Sequence, residues 1–358
     1  MDKVSVIVPV YQPEIDLLIR ALNSVLQQTW QNLELLLVID DPKLSSKHLC
    51  EILTGDWKTD EGQKEENAEH KVKPYLDSRI RILHTEGGTG VSAARNLGIE
   101  KSEGIWICFL DQDDYYAVSF VETLVNSVQQ QKTEMAMSGF EMVDGNCCGV
   151  SSFPREEIMP NETWLYWSTC AIWNRIYSRS VLEKYQIRFP QKCYTEDMLF
   201  VLQCNEHLSF GDVVSERLYY NYQNPQSTSR SEHFRQLNLD QMPWQQLRGA
   251  MGTREYEKDC YAVGFILNEL VLLTCILSRG SKMSVGDTSA EEARKVWQQL
   301  ANTVDHRKID EFVSEYLRNA ELSVSMKLLM KGYYAALRCK VDRLYCRGIR
   351  RLLRLLRA

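Results

Sequence analysis

Apolar positions in the first half of the chain switch between two periods. Val4–Val10 is a near-continuous β-branched run, the pattern of a buried strand. After Pro13, residues Ile15, Leu18, Ile19, Leu22, Val25 and Leu26 recur at helical spacing within Glu14–Gln28. Leu33–Ile39 is a second apolar strand and ends at Asp40-Asp41-Pro42. Strand, helix, strand and acidic turn predict an α/β fold, a doubly wound and mostly parallel sheet with helices on both faces. Arg79–Thr85 and Ile105–Leu110 read as the third and fourth strands. A helix around Phe120–Gln131 and a strand at Met135–Met142 follow.

Two stretches break this rhythm. From Thr54 to Lys73 nearly every residue is charged or polar, which predicts a solvated insertion over about residues 43–78. From about Phe234 the pattern is helical, so the chain divides into an α/β domain over 1–232 and a smaller α-helical region over 233–358. Cys260–Ser278 is apolar enough to resemble a membrane span, but Asn268-Glu269 lies at its centre. An acid there costs about 2 kcal/mol or more in lipid, which predicts a buried helix instead.

Composition adds little to the fold and more to the setting. A hydrophobic share of 44% and a charged share of 25% are ordinary for a globular protein, and the net charge of −6 gives no pull toward nucleic acid. Eleven cysteines without metal-site spacing read as reduced thiols in a cytoplasmic protein. The opening MDKVSVIVPVY reads as a first strand, not a signal peptide. In Arg338–Ala358, the cations Arg338, Lys340, Arg343, Arg347, Arg350, Arg351, Arg354 and Arg357 face only Asp342, with leucines interleaved. That predicts a basic amphipathic helix, either lying at the inner face of an anionic membrane or packed on its own domain.

The chemistry concentrates in Gly104–Tyr116, where an apolar strand ends in Asp111, Asp113 and Asp114. Clustered carboxylates repel each other, and a hard divalent cation, Mg²⁺ or Mn²⁺, relieves that repulsion. The same residues also read as an acidic turn capping the next helix. In EGGTGVSAARNLG the glycines predict a tight loop, with Ser92 as N-cap of a helix starting at Ala93. Trp164, Trp167 and Trp173 read either as the wall of a sugar site or as aromatic core. Four features thus gather at one sheet edge, where such folds bind ligands: Pro9-Val10-Tyr11, Asp40-Asp41, the glycine loop with Arg95, and Asp111–Asp114. The set suits a nucleoside diphosphate, with Pro9, Tyr11 and Asp41 toward the nucleoside and the metal, Asp111 and Arg95 toward the phosphates.

Residues 1 to about 230 resemble the family 2 glycosyltransferases, which have the GT-A fold. The resembling stretches are VSVIVPVYQ, SVLQQTWQNLELLLVIDD, GVSAARNLGIEKSEGIWICFLDQDDYY, WNRIYSRSVL and TEDMLF. The resemblance implies inverting transfer of a sugar from a nucleotide donor, UDP-sugars being favoured, with Mg²⁺ or Mn²⁺. It implies Tyr11 and Asp41 at the base, Asp111 and Asp113 at the metal and diphosphate, and Asp197 as catalytic base. It also implies a saccharide or lipid-linked acceptor in cell-surface polysaccharide or glycolipid assembly. Pro42-Lys43 stands where the family usually has Gly-Ser, Arg175 where it commonly has Lys, and the insertion over 43–78 is long for the family. Gln245-Gln-Leu-Arg248 is followed by Gly249, not by the Trp of processive members, so transfer of one sugar at a time is expected. A non-catalytic sugar-nucleotide binder and a nucleotidyltransferase are the alternatives. The first has no need of Asp197, and the second relies on a basic glycine loop after strand one that Tyr11-Gln12-Pro13 does not provide.

Overall fold

A computed structural model describes residues 1–47, 49, 51, 77–144, 149–153, 171–191, 196–224, 266–267, 270–271, 283–303, 306–319 and 324–355. They belong to two compact units, one holding the described residues up to Asn224 and one those from Ile266 onward. Residues 54–73, Trp164, Trp167, Cys147-Cys148, most of Cys260–Ser278 and the Gln245–Gly249 stretch lie outside the described residues. Of the apolar stretch, Ile266, Leu267, Leu270 and Val271 are helical and buried. Among the described residues no helix is long and apolar enough to cross a membrane.

The first unit begins with strand β1 (Val4–Val10), helix α1 (Ile15–Leu26), strands β2 (Leu33–Ile39) and β3 (Ile80–His84), helix α2 (Val91–Lys101) and strand β4 (Trp106–Phe109). The β1–β2, β2–β3 and β1–β4 pairs are all parallel. All seven residues of β2 are buried, the reason it reads as an unbroken apolar run. Side chains alternate across the sheet. Val4, Val6, Val8 and Val10 share a core with Leu18, Leu22 and Val25 of α1 and with Phe120 and Leu124 of α3 (Phe120–Gln131). Ile7 faces the other way, against α2. A Cβ added to Gly98 would lie 2.4 Å from Ile7 Cγ2, so only glycine lets α2 approach this closely.

Past β4 the sheet becomes mixed. β5 (Tyr115–Tyr116), β6 (Met135–Val143), β7 (Gly149–Phe153), β8 (Arg175–Ser178) and β9 (Phe210–Tyr222) complete the order β3-β2-β1-β4-β8-β6-β9-β5, with β7 also paired to β6. β8 runs antiparallel to both β4 and β6. At four residues it is too short to show a period, and it was legible only as part of the WNRIYS stretch. Helices α4 (Arg179–Lys184) and α5 (Glu196–His207) follow it. Trp173 stacks on Tyr219 at 4.1 Å and meets Phe140 edge-on at 5.0 Å, an aromatic core contact.

The second unit contains α6 (Met283–Thr303), α7 (His306–Asn319), α8 (Val324–Arg338) and α9 (Asp342–Leu355). The single basic helix expected over 338–358 is corrected here. Lys340 takes a left-handed φ of 59°, and the Val341 N–H donates to Ala336 O at 2.9 Å, closing α8 before α9 starts. The cations also differ in their surroundings. Arg338 pairs with Asp310, Arg343 with Glu291, and Arg350 is buried. Buried Asp342 accepts from Arg294 Nε at 2.9 Å and Nη2 at 2.7 Å, joining α9 to α6.

Candidate active site

The turn Asp111–Asp114 leaves β4 at its C-terminal end, and three of its residues are tied to other elements. Gln112 Nε2 donates to Tyr11 O at 2.9 Å, while the Tyr11 N–H donates to Gln112 Oε1 at 3.0 Å. The carbonyl of Asp113 accepts from Arg20 Nη2 at 2.9 Å, and that guanidinium lies over the rings of Tyr115 and Tyr222. Buried Asp114 accepts from Tyr219 Oη at 2.5 Å, Asn221 Nδ2 at 3.0 Å and the Tyr222 N–H at 2.7 Å. Burial, followed by the charges of Asp111 and Asp113, holds its pKa well above the usual carboxylate range. Asp114 therefore fastens the turn to β9, and the turn's other two carboxylates, Asp111 and Asp113, face a different set of partners.

The glycine loop is shaped by Asp40. Its carboxylate accepts from Thr85 Oγ1, from Thr89 N–H at 3.0 Å, from Thr89 Oγ1 at 2.6 Å and from Gly90 N–H at 2.7 Å. Burial opposes its ionisation, but these donors prevail and its pKa falls below the ordinary value. Gly87, Gly88 and Gly90 all have positive φ, as the tight path requires. Gly90, at φ 97°, is the N-cap of α2, which starts at Val91; the cap expected at Ser92 lies inside the helix instead. Asp41 is half-buried and accepts from the Lys43 N–H at 2.9 Å, closing the turn that Pro42 enters. Pro9 is half-buried within β1, opposite Val38, and Tyr11 just beyond it keeps 49% of its surface exposed.

From α2, the buried guanidinium of Arg95 reaches three acids. Nη2 lies 3.0 Å from Asp111 Oδ1, and Nη1 lies 2.6 Å from Asp197 Oδ1 and 3.3 Å from Glu196 Oε1. The Phe189 ring stands 5.3 Å from the guanidinium carbon, and the Asn96 carboxamide clamps the main chain of Phe189 at 2.8 and 2.9 Å. Arg95 was expected at the diphosphate; in this structure both of its Nη atoms are engaged by carboxylates. Burial alone would lower its pKa, but Asp197, Asp111 and Glu196 together raise it, so it stays cationic.

Asp197 sits in the first turn of α5 with 29% of its side chain open to solvent. Enough protein surrounds it that desolvation pushes its pKa up to about 7; Arg95 opposes this, and Glu196 and Asp111 add to it. A carboxylate with a pKa near neutrality is suited to accept a proton. Burial, then the charge of Asp111, pushes Asp113 up to about 6. Asn224 Nδ2 approaches it only to 3.4 Å. This crowding of like charges is what a divalent cation relieves, and carboxylate oxygens are the ligands Mg²⁺ and Mn²⁺ prefer. Asp111 and Asp113 therefore fit as two protein ligands. Among the described residues no cluster of three or more acids, His or Cys is arranged to hold a metal by itself.

Residues 5–186 match the family described as Glycosyl transferase family 2. The chain belongs to that family. GlyG of Streptococcus pneumoniae serotype 4, named a glycosyltransferase, is 28% identical over 40% of this chain, and the match takes in only 42% of GlyG. WfgD of Escherichia coli, named a UDP-Glc:alpha-D-GlcNAc-diphosphoundecaprenol beta-1,3-glucosyltransferase, is 24% identical over 65% of this chain and 82% of its own. The S. aureus TarS 1–349 crystal structure, a complex with UDP-GlcNAc, superposes with a TM-score of 0.66 over 99% of this chain and 92% of that one. At 19% identity that likeness concerns the fold, which is GT-A-like.

The geometry brings together Arg95, Asp111, Asp197 and Glu196 by direct contact, and joins Tyr11 to the Asp111–Asp114 turn through Gln112. Sequence reasoning did not single out Gln112, Arg20 or Asp40 for what they do. It had a signal for Asn96, inside the quoted GVSAARN, and for Gln112, inside DQDD.

Proposed function

We propose that this protein is an inverting glycosyltransferase that moves one sugar from a nucleoside-diphosphate sugar to an acceptor hydroxyl. The observation that carries the reading is the shared guanidinium. Arg95 holds Asp111 and Asp197 on adjacent Nη atoms, so the acid suited to a phosphate-bound metal and the acid suited to take a proton border one space. Asp197 accepts the acceptor's hydroxyl proton as that oxygen attacks the anomeric carbon. The bond to the diphosphate breaks on the opposite face, which inverts the configuration. Asp111 and Asp113 would hold Mg²⁺ or Mn²⁺, which supplies positive charge against the departing diphosphate. Pro9, Tyr11 and Asp41 line the nucleoside end. UDP-sugars are the favoured donors, a choice supported by the UDP-GlcNAc bound in TarS and the UDP-glucose in the name of WfgD.

We infer as acceptor a saccharide or lipid-linked intermediate of surface-polysaccharide or glycolipid assembly, a choice that the diphosphoundecaprenol in the name of WfgD supports. The protein then works at the cytoplasmic side of a membrane. α9 offers a means of contact, because Leu344, Leu352 and Leu355 are exposed beside exposed Arg347 and Arg351.

The deciding experiment incubates the protein with a panel of nucleotide sugars and Mn²⁺ and follows release of nucleoside diphosphate. Slow hydrolysis of one donor, lost in Asp113→Ala, is expected. A thermal-shift screen runs alongside, since a ligand at about 100 times its Kd stabilises by about 2.7 kcal/mol. The absence of both hydrolysis and stabilisation with every nucleotide tested would overturn the reading.

A further inference from the structure

We propose that Gln112, the second residue of the DQDD turn, is a donor-positioning residue that locks Tyr11 as a platform for the nucleoside base, at a set distance from the diphosphate end of the site. The proposal rests on the functional reading above and adds to it a residue that holds the two ends of the donor in register.

The β1–β4 ladder runs to the Ile7–Phe109 pair, with one more bond from the Leu110 N–H to Ile7 O at 3.0 Å. Beyond it β4 turns away into Asp111, so Tyr11 has no β4 main chain beside it. Gln112 takes the place of that strand. Its carboxamide accepts from the Tyr11 N–H at 3.0 Å and donates to the Tyr11 carbonyl at 2.9 Å, the two bonds a neighbouring strand would make. An amide side chain is suited to this because it carries a donor and an acceptor side by side. The next residue, Gln12, sits at φ 43°, a left-handed conformation that a non-glycine residue holds only where its surroundings impose it. The chain is thus fixed on both sides of Tyr11 while the residue stays 49% exposed. Main-chain hydrogen bonds do not need such a ring in the open; a planar ligand does.

The same turn carries Asp111 and Asp113. Arg20 and Asp114 anchor its far end to α1 and β9. Gln112 is therefore the direct covalent and hydrogen-bonded link between the residue suited to stack a base and the residues suited to the diphosphate. A bound nucleoside diphosphate must place its base and its phosphates at one separation, so fixing this separation in the protein beforehand reduces the ordering needed on binding.

The test uses the full chain and four variants: Gln112→Met, which keeps the length but removes both hydrogen bonds, Gln112→Asn, Tyr11→Ala, and the Gln112→Met/Tyr11→Ala double variant. The wild type is first titrated with UDP, CDP and GDP in Mn²⁺, and the tightest binder is carried through the series with inorganic pyrophosphate as a control. Gln112→Met is expected to weaken the nucleotide about five- to tenfold and to leave pyrophosphate within about twofold. The double variant is expected to bind no worse than Tyr11→Ala, because the lock matters only through the ring. Gln112→Asn, too short to span both groups, is expected to weaken binding as Met does, and it covers the case in which Met disturbs folding. Unchanged nucleotide affinity in Gln112→Met and Gln112→Asn, equal loss for pyrophosphate, or additive loss in the double variant would each overturn the proposal while leaving the enzyme reading intact. If the wild type bound none of the three nucleotides, the functional reading itself would fail.

Discussion

Arg95 Nη1 stands 2.6 Å from Asp197 Oδ1, and the other Nη of the same buried guanidinium stands 3.0 Å from Asp111. One cation thus acts on the two acids to which the proposed function gives different tasks. Its charge works against the desolvation that, with Glu196 and Asp111, holds the pKa of Asp197 up at about 7. Removing the cation leaves desolvation and the charges of Glu196 and Asp111 unopposed, so the pKa of Asp197 rises. A base must be deprotonated to act, and the acidic limb of the kcat profile tracks its pKa. Arg95→Met is therefore expected to move that limb to higher pH, and Arg95→Lys to move it less. Measuring kcat against pH with saturating donor checks this; an unmoved limb in Arg95→Met would separate Asp197 from the rate.

Asp197→Asn keeps the size and polarity of the side chain but removes the base. Turnover is expected to fall by about 10²–10⁴-fold with nucleotide affinity little changed. Glu196→Gln is expected to lose far less, because successive side chains on a helix diverge by about 100°. Glu196 also lies farther from Arg95, at 3.3 Å. Single-turnover rates with the acceptor, beside nucleotide titrations, separate the two effects.

The proposed role of Asp111 and Asp113 predicts metal dependence. Excess EDTA is expected to abolish donor hydrolysis and Mn²⁺ to restore it. Asp113→Ala is expected to remove the stimulation of nucleotide binding by Mn²⁺, read by titration with and without the metal. Full activity in excess EDTA would contradict the assignment.

The α9 face predicts salt-sensitive attachment to anionic vesicles. Exposed Lys340, Arg347 and Arg351 contribute about 1 kcal/mol each at most, so the leucines matter as well. Replacing Leu344, Leu352 and Leu355 with Gln is expected to reduce co-sedimentation with phosphatidylglycerol vesicles, and high salt to reduce it further. If the wild type ignored such vesicles at low salt, the face would have another use.

Two glycines predict opposite stability effects. Gly98→Ala forces a methyl to 2.4 Å from Ile7 Cγ2 and is expected to destabilise by about 1–3 kcal/mol. Gly348 lies in α9 with nothing within 4 Å of an added Cβ. There Ala is expected to stabilise by about 0.5–1 kcal/mol, chiefly by restricting the unfolded chain. Denaturant unfolding of each variant gives the sign.

The parallel half of the sheet was legible in the chain because its information is local. A strand buried on both faces must be apolar at every position, and β2 is; a helix must be apolar on one stripe, and α1 is. The acids after β4 were legible for the same reason, since a strand end followed by Asp111, Asp113 and Asp114 is a contiguous signal. What those acids do was not local. Asp114 is taken out of the site by Tyr219, 105 positions away, and Arg95 is claimed by Asp197, 102 positions away. The basic stretch beyond Arg338 read either as an amphipathic membrane helix or as one packed on its own domain, and the sequence could not choose; in the structure Arg338 pairs with Asp310, Arg343 with Glu291, and Arg350 is buried. Periodicity records which side of an element faces away from water. The partner a buried charge finds depends on which distant elements the fold brings beside it, and only the tertiary structure decides that.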